Sequence, residues 1–198
     1  MLDLPDHGYV DLSISGIDPG GNTEGILGGT TNTLDRPGYR YSIQFTLPEL
    51  ATEKDARIFQ AMLEQGSRED VSYPWPLDVK AVPAGTPVVD GASPAGAVIP
   101  IRGLVADYQF KLGQPLAVIT VDPVTGETMR FIHKAKAAQA ADATGAIVLE
   151  VFPITRKAFL DGDTIEVEKP RIGGALTWDG GRQGAYGARP FTFSITER

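Results

Sequence analysis

The chain has 198 residues, of which 42% are hydrophobic and 22% charged, with 18 basic and 25 acidic side chains for a formal charge of -7. With 23 glycines and 15 prolines it exceeds the usual share of roughly 12% for these two residues, which disfavours a helix bundle and favours short strands joined by many turns. The absence of cysteine excludes disulfide frameworks and thiolate chemistry, and the acidic balance without a basic cluster excludes tight binding to phosphate backbones.

The opening Met1-Leu2-Asp3-Leu4-Pro5-Asp6 has acids where a signal peptide needs basic and apolar stretches, so a soluble chain made in the cytoplasm is expected. Residues 16 to 38 are rich in glycine and read as loop. Behind them Tyr39, Tyr41, Ile43, Phe45 and Leu47 alternate with polar residues, the pattern of a half-buried strand. A helix follows. Thr52 suits its N-cap, Glu53 and Asp55 its first turn and Gly66 its end, while Ile58, Phe59, Met62 and Leu63 form an apolar stripe that needs a sheet to pack on.

Val71 to Val79 looks extended, but Pro74 and Pro76 limit it to an edge or irregular strand. Residues 82 to 96 form a second loop-rich tract and a candidate domain boundary. Beyond it, strand-like pieces span Val98 to Phe110, Pro115 to Val121, Thr128 to Lys136, Ala146 to Phe152 and Thr164 to Glu168. Asp122-Pro123-Val124-Thr125-Gly126 joins two of them as a hairpin, and Lys134 to Ala143 reads as a strand end plus a turn. Five short strands is the count of a small barrel. The tail alternates glycine and polar residues from Gly173 to Gly187 and closes on the strand-like Phe191-Thr192-Phe193-Ser194-Ile195-Thr196. Strands near both extremities suggest that the ends of the chain share one sheet.

Chemistry-bearing constellations are sparse. His7 is expected in a frayed terminus and His133 among strand residues, and no Gly-x-Ser-x-Gly elbow presents a nucleophile. Asp161-Gly162-Asp163-Thr164-Ile165-Glu166 has its glycine at position two where a calcium loop needs it at six, so it reads as a solvated turn opening a strand. Gly20-Gly21-Asn22-Thr23-Glu24-Gly25 and Gly180-Gly181-Arg182-Gln183-Gly184 lack the Lys-Ser or Lys-Thr of a phosphate loop. No catalytic, cofactor or metal residue is therefore assigned. Arg156, Lys157, Arg171, Arg182 and Arg189 are either solvated surface or contacts to an acidic partner. Trp75 and Trp178 are either interface anchors or core.

Taken in order, these pieces resemble the distal tail proteins of siphophages and related prophages or gene-transfer particles. The resemblance runs from Tyr39-Arg40-Tyr41-Ser42-Ile43-Gln44-Phe45-Thr46-Leu47-Pro48 through the Ala56 to Leu63 helix, Gly66, Tyr73-Pro74 and Pro87-Val88-Val89-Asp90-Gly91-Ala92. It continues with Leu116-Ala117-Val118, Arg130-Phe131-Ile132-His133 and Ala141-Asp142-Ala143-Thr144-Gly145-Ala146. It closes with Phe152-Pro153-Ile154-Thr155-Arg156, Gly162-Asp163-Thr164-Ile165, Pro170 and Phe191 to Glu197.

The resemblance implies a mainly β protein: a tail-tube-like β-barrel or sandwich with one flanking helix, plus an attached small five-strand barrel of oligonucleotide/oligosaccharide-binding (OB-like) type. The first would take residues 1–80 and 170–198, the second 95–168. It implies a structural virion protein and no enzyme, needing no cofactor. Six copies would form a homo-hexamer ring between the tail tube protein above and the tail hub or tip protein below. DNA would pass through the lumen without specific binding, no membrane would be involved, and the ring would be assembled in the host cytoplasm into the virion tail. Residues 16 to 38, 82 to 96 and 173 to 189 are the expected contacts between copies. Two rival readings are a carbohydrate-binding β-sandwich module, for which Tyr73 and Trp75 would have to be exposed, and another tail tube or completion protein.

Overall fold

The computed structural model describes residues 1–23, 32–34, 38–77, 82–178, 180 and 190–198. In chain order these form β1 (Leu2–Asp3), β2 (Asp11–Ile17), β3 (Gly21–Thr23), β4 (Asn32–Leu34), β5 (Arg40–Thr46), α1 (Glu53–Gly66), β6 (Val71–Pro74), β7 (Gly85–Val89) and β8 (Val98–Leu104). Then come β9 (Gln109–Phe110), β10 (Pro115–Val121), β11 (Thr128–Ala135), β12 (Gln139–Ala140), β13 (Ile147–Phe152), β14 (Thr164–Glu166), β15 (Arg171–Trp178) and β16 (Thr192–Glu197). The protein is mainly β with one helix, as expected.

Strands from both ends of the chain build a six-stranded sheet in the order β1-β6-β15-β16-β5-β2. The alternation in β5 decides which side chains enter its core: Tyr41, Ile43 and Phe45 are buried, and Ser42, Gln44 and Thr46 face the other way. Phe193 and Ile195 of β16 lie opposite Phe45 and Ile43 and join the same cluster. The hydroxyls of Ser42 and Thr196, 2.9 Å apart, pair on the opposite face.

Helix α1 starts where Thr52 Oγ1 accepts from the Asp55 N–H at 3.1 Å. Its buried residues are Ala56, Phe59, Leu63 and Gly66, while Ile58, expected in the stripe, is exposed because it lies to the side of the sheet-facing arc. Gly66 is the last helical residue and not a left-handed terminator. A Cβ there would stand 2.4 Å from Val71 Cγ1, so the glycine permits close packing on the sheet.

The second β unit is a closed barrel with the order β10-β11-β13-β8-β7-β14. It has six strands and not five, because β7 comes from the tract read as loop. Gly85 and Gly103, with φ of +90° and +81°, sit at a register shift between β7 and β8. A Cβ on Gly85 would lie 2.7 Å from the Gly103 carbonyl oxygen. The turn-forming residues thus make a bulge that bends the strand without ending it. The piece from Val98 to Phe110 divides into β8 and β9, and β9 leaves the barrel to pair with β12. The hairpin between β10 and β11 forms as expected, whereas the tract read as a strand end plus a turn ends β11 at Ala135 and then carries a further strand, β12.

Three further expectations are corrected. Residues 16 to 38 are not all loop: β2 includes Gly16 and Ile17, and β3 pairs with β4, whereas 24–31 and 35–37 lie outside the described residues. The tract 173 to 189 begins inside β15, an interior strand, and 179 and 181–189 lie outside the described residues. β6 is likewise interior, since two-residue β1 pairs parallel to it and ties down the terminus that carries His7.

Candidate functional site

Sheet and barrel meet along a seam that β10 and β11 create by burying both of their faces. Phe131 and Ala135 of β11 point into the barrel core, while Ile132 joins the core of the sheet; Leu116 and Val118 of β10 do the former, Ala117 the latter. Gly173 of β15 leaves room for this approach, since a Cβ there would lie 3.0 Å from Arg130 Cβ.

At one place on the seam stands a carboxylate. Glu197 occupies the next inward position of β16 after Phe193 and Ile195 and is 2% exposed. It accepts from the Ile132 N–H at 2.6 Å and from the Tyr41 N–H at 3.3 Å, and Arg156 Nη2 lies 3.1 Å away. Burial pushes the Glu197 carboxyl up to about 7, against the opposing pull of Arg156 and the two backbone donors. His133 is buried nearby, and its Nδ1 lies 2.8 Å from the Pro153 carbonyl. That carbonyl can only accept, so Nδ1 carries the proton and Nε2 is left without a partner among the described residues. Burial, assisted by Arg156, pushes the His133 imidazole down to about 4. This group of side chains fastens two β units together; no nucleophile stands within its hydrogen-bonding partners.

Farther along the seam a cavity of about 370 Å³ opens between the two units. Ile14, Trp75, Pro76 and Leu77 line it from the sheet side, and Tyr108, Gln109 and Lys111 to Pro115 with Lys134 from the barrel. The turn that forms its far wall is fixed by Gln114, which donates to Tyr108 Oη at 2.9 Å and accepts from the Lys111 N–H at 3.0 Å. Lys134 Nζ lies 5.2 Å from the centroid of the Tyr41 ring and 5.4 Å from that of Trp75, a cation–π arrangement. Partial burial pushes its pKa down.

The residues singled out from the sequence fall elsewhere. His7 packs edge-on to Phe59, at 5.2 Å between centroids. Arg156, Lys157 and Arg171 are each engaged within the chain, by Glu197, by Asp122, and by Ser72 with Asp3 respectively. Arg182 and Arg189 lie outside the described residues. Asp161 accepts from Arg102 and the Gly91 N–H, and Asp163 from the Leu160 N–H, so both serve the turn before β14. Gly20 donates to Asp18 Oδ1 at 2.8 Å, an ordinary turn contact.

Tyr73 and Trp75 are 1% and 5% exposed, which removes the aromatic platform that a sugar-binding reading required. Trp178 is partly buried against the sheet core. Glu197 and Lys134 were the residues the sequence reading missed. The signal for Glu197 was available: it continues the apolar alternation of Phe191, Phe193 and Ile195 with a charge.

No protein-family model matches the chain, and no curated protein matches it either. No helix among the described residues is long and apolar enough to cross a membrane.

Proposed function

We propose that this protein is a structural component of a phage-like tail, forming a six-membered ring at the distal end of the tail tube. Such a ring would join the tube protein above to the hub or tip protein below and leave a lumen for DNA. The observation that carries the reading is the architecture: a sheet assembled from both ends of the chain and flanked by one helix, with a closed barrel built from the intervening residues. The resemblance to distal tail proteins implies a comparable plan, a tube-like unit with one flanking helix and an attached small OB-like barrel, with five strands in that barrel where six are seen.

Two further features support it. A head-to-tail ring needs two different patches on each copy. Among the described residues the sheet ends in two different strands, β1 and β2, each paired there on one side. The uncovered face of β2, β5 and β16 is rich in hydroxyl and amide groups: Ser13, Ser15, Ser42, Gln44, Ser194 and Thr196 all reach solvent. Arg40 alternates onto the same face of β5, but neutral polar groups dominate it, so nucleic acid would meet few charges to hold its phosphates.

Light scattering over a wide concentration range, with negative-stain imaging of the largest species, tests the reading. A ring of six around an open centre is the expected result. A monomer at every concentration, together with absence of the chain from purified particles by mass spectrometry, overturns it.

A further inference from the structure

The cavity at the seam is an uncovered margin of the core. Ile14 lies opposite Ile43 in the register of β2 and β5, on the face that carries the core, yet it is 43% exposed while Ile43 is fully buried. Across the cavity Leu112 is 73% exposed. Among the described residues β2 pairs with β5 alone, which leaves the other edge of this seven-residue strand open there, beside the cavity that Ile14 lines. Apolar walls next to an unpaired strand edge are the requirements for taking up an extended peptide.

Charge narrows the occupant. The chain carries a net charge of -7, but the described lining of this cavity contains Lys111 and Lys134 and no carboxylate. Arg102, Arg130, Arg156, Lys157, Arg171 and Arg198 each stand within 4.0 Å of an acidic side chain, whereas Lys134 has no such partner among the described residues. A half-buried ammonium held only by two aromatic faces gains most from an incoming anion.

We infer that this cavity binds an extended segment of a partner protein, which lies along the open edge of β2, places a carboxylate on Lys134 and seats apolar side chains on Ile14 and Leu112. A small carboxylate would satisfy Lys134 but leave the strand edge unpaired, so the peptide is the better fit. The inference does not rest on the tail reading: the ring can fail to form with this binding intact, and the converse holds too.

The test uses the full chain with Trp178→Phe, which leaves Trp75, in the cavity wall, as the only tryptophan reporter. The probes are acetyl-Ser-Val-Thr-Asp-Thr-Val-Ser-amide, whose valines and aspartate share one strand face, and its asparagine counterpart. Saturable change in Trp75 fluorescence is expected with the aspartate peptide, at least tenfold weaker binding with the asparagine peptide, and loss of binding in Lys134→Met. Leu112→Asp, at an exposed position whose folding is not at stake, should abolish binding as well. Equal binding of the two peptides, or binding that survives both substitutions, overturns the inference. Sodium acetate competing as well as the peptide reassigns the cavity to small carboxylates. Absence of binding overturns it too.

Discussion

The carboxylate of Glu197 on β16 accepts the backbone N–H of Ile132 on β11 at 2.6 Å, so a side chain of the sheet completes the hydrogen bonding of a barrel strand. The same carboxylate also takes the Tyr41 N–H and faces Arg156, with Arg40 farther off. Its pKa is raised in the fold to about 7 from an ordinary value of 4.5. The folded protein therefore holds this proton more tightly than the unfolded chain. The associated stability is fully present below pH 4.5 and is lost as pH rises to about 7, by at most about 3 kcal/mol. Glu197→Gln should abolish that component in urea titrations at a series of pH values. An unchanged pH profile would show that the carboxylate is relaxed or hydrated in solution.

His133 works in the opposite sense. Its pKa is depressed to about 4, so its stability contribution is present above 6.5 and is lost as pH falls toward 4. Between about 4.5 and 6.5 the two groups offset one another, and the natural chain should show a shallow profile there. His133→Asn, which can still donate to the Pro153 carbonyl, should unmask the Glu197 slope. Glu197→Gln should unmask the histidine slope, with stability falling on acidification. Parallel profiles for both variants would contradict the assignment.

Gly174 on β15 has no room for a side chain: a Cβ would lie 2.0 Å from the Thr196 carbonyl oxygen. Gly174→Ala should therefore cost at least about 2 kcal/mol and lower the melting temperature by roughly 5 °C. Gly91→Ala is the control. It has φ +75° but nothing within 4 Å, so only backbone strain of about 1 kcal/mol applies. Equal melting temperatures for the two variants would refute the steric argument.

Thr52 caps α1 by accepting from the Asp55 N–H and donating to Asp55 Oδ2 at 2.7 Å. Thr52→Ala should destabilise the protein by about 1 kcal/mol, and Thr52→Ser should restore most of that loss. Hydrogen exchange should locate the change in the first turn of the helix. Uniform acceleration across the sheet instead would indicate that the helix and sheet unfold as one unit.

Deleting residues 82 to 96 should unfold the barrel, because the deletion removes β7, which pairs with both β8 and β14. Loss of the barrel would be seen as loss of exchange protection in β8, β13 and β14. Contacts between copies are therefore better probed by point substitutions on β2 than by removing this tract.

Local pattern was enough for the mainly β class, for β5 and for the capped helix, because an alternation of Tyr41, Ile43 and Phe45 and a Thr52 with acids behind it each report a single, one-sided environment. It was also enough for the hairpin at Asp122 to Gly126, where the turn residues set the register. The strands of the seam and the hairpin joining them were found in the sequence, but the two cores they face were not. β10 and β11 are apolar on both faces, and a period of two cannot say that Phe131 belongs to the barrel and Ile132 to the sheet.

The other misreadings share one cause. Glycine and proline in β7 and β15 signal turns locally, yet in the fold they mark places where backbones come too close for a side chain, as Gly85 does against Gly103 and Gly174 against Thr196. Residue patterns alone carried the mainly β class of the structure. Only the tertiary structure brought Glu197 to Ile132 and left Lys134 beside an open strand edge. Both depend on contacts between residues far apart in the chain: the alternation of β16 marks Glu197 as inward-facing, but which backbone it meets, and which charges lack a partner, is set by packing.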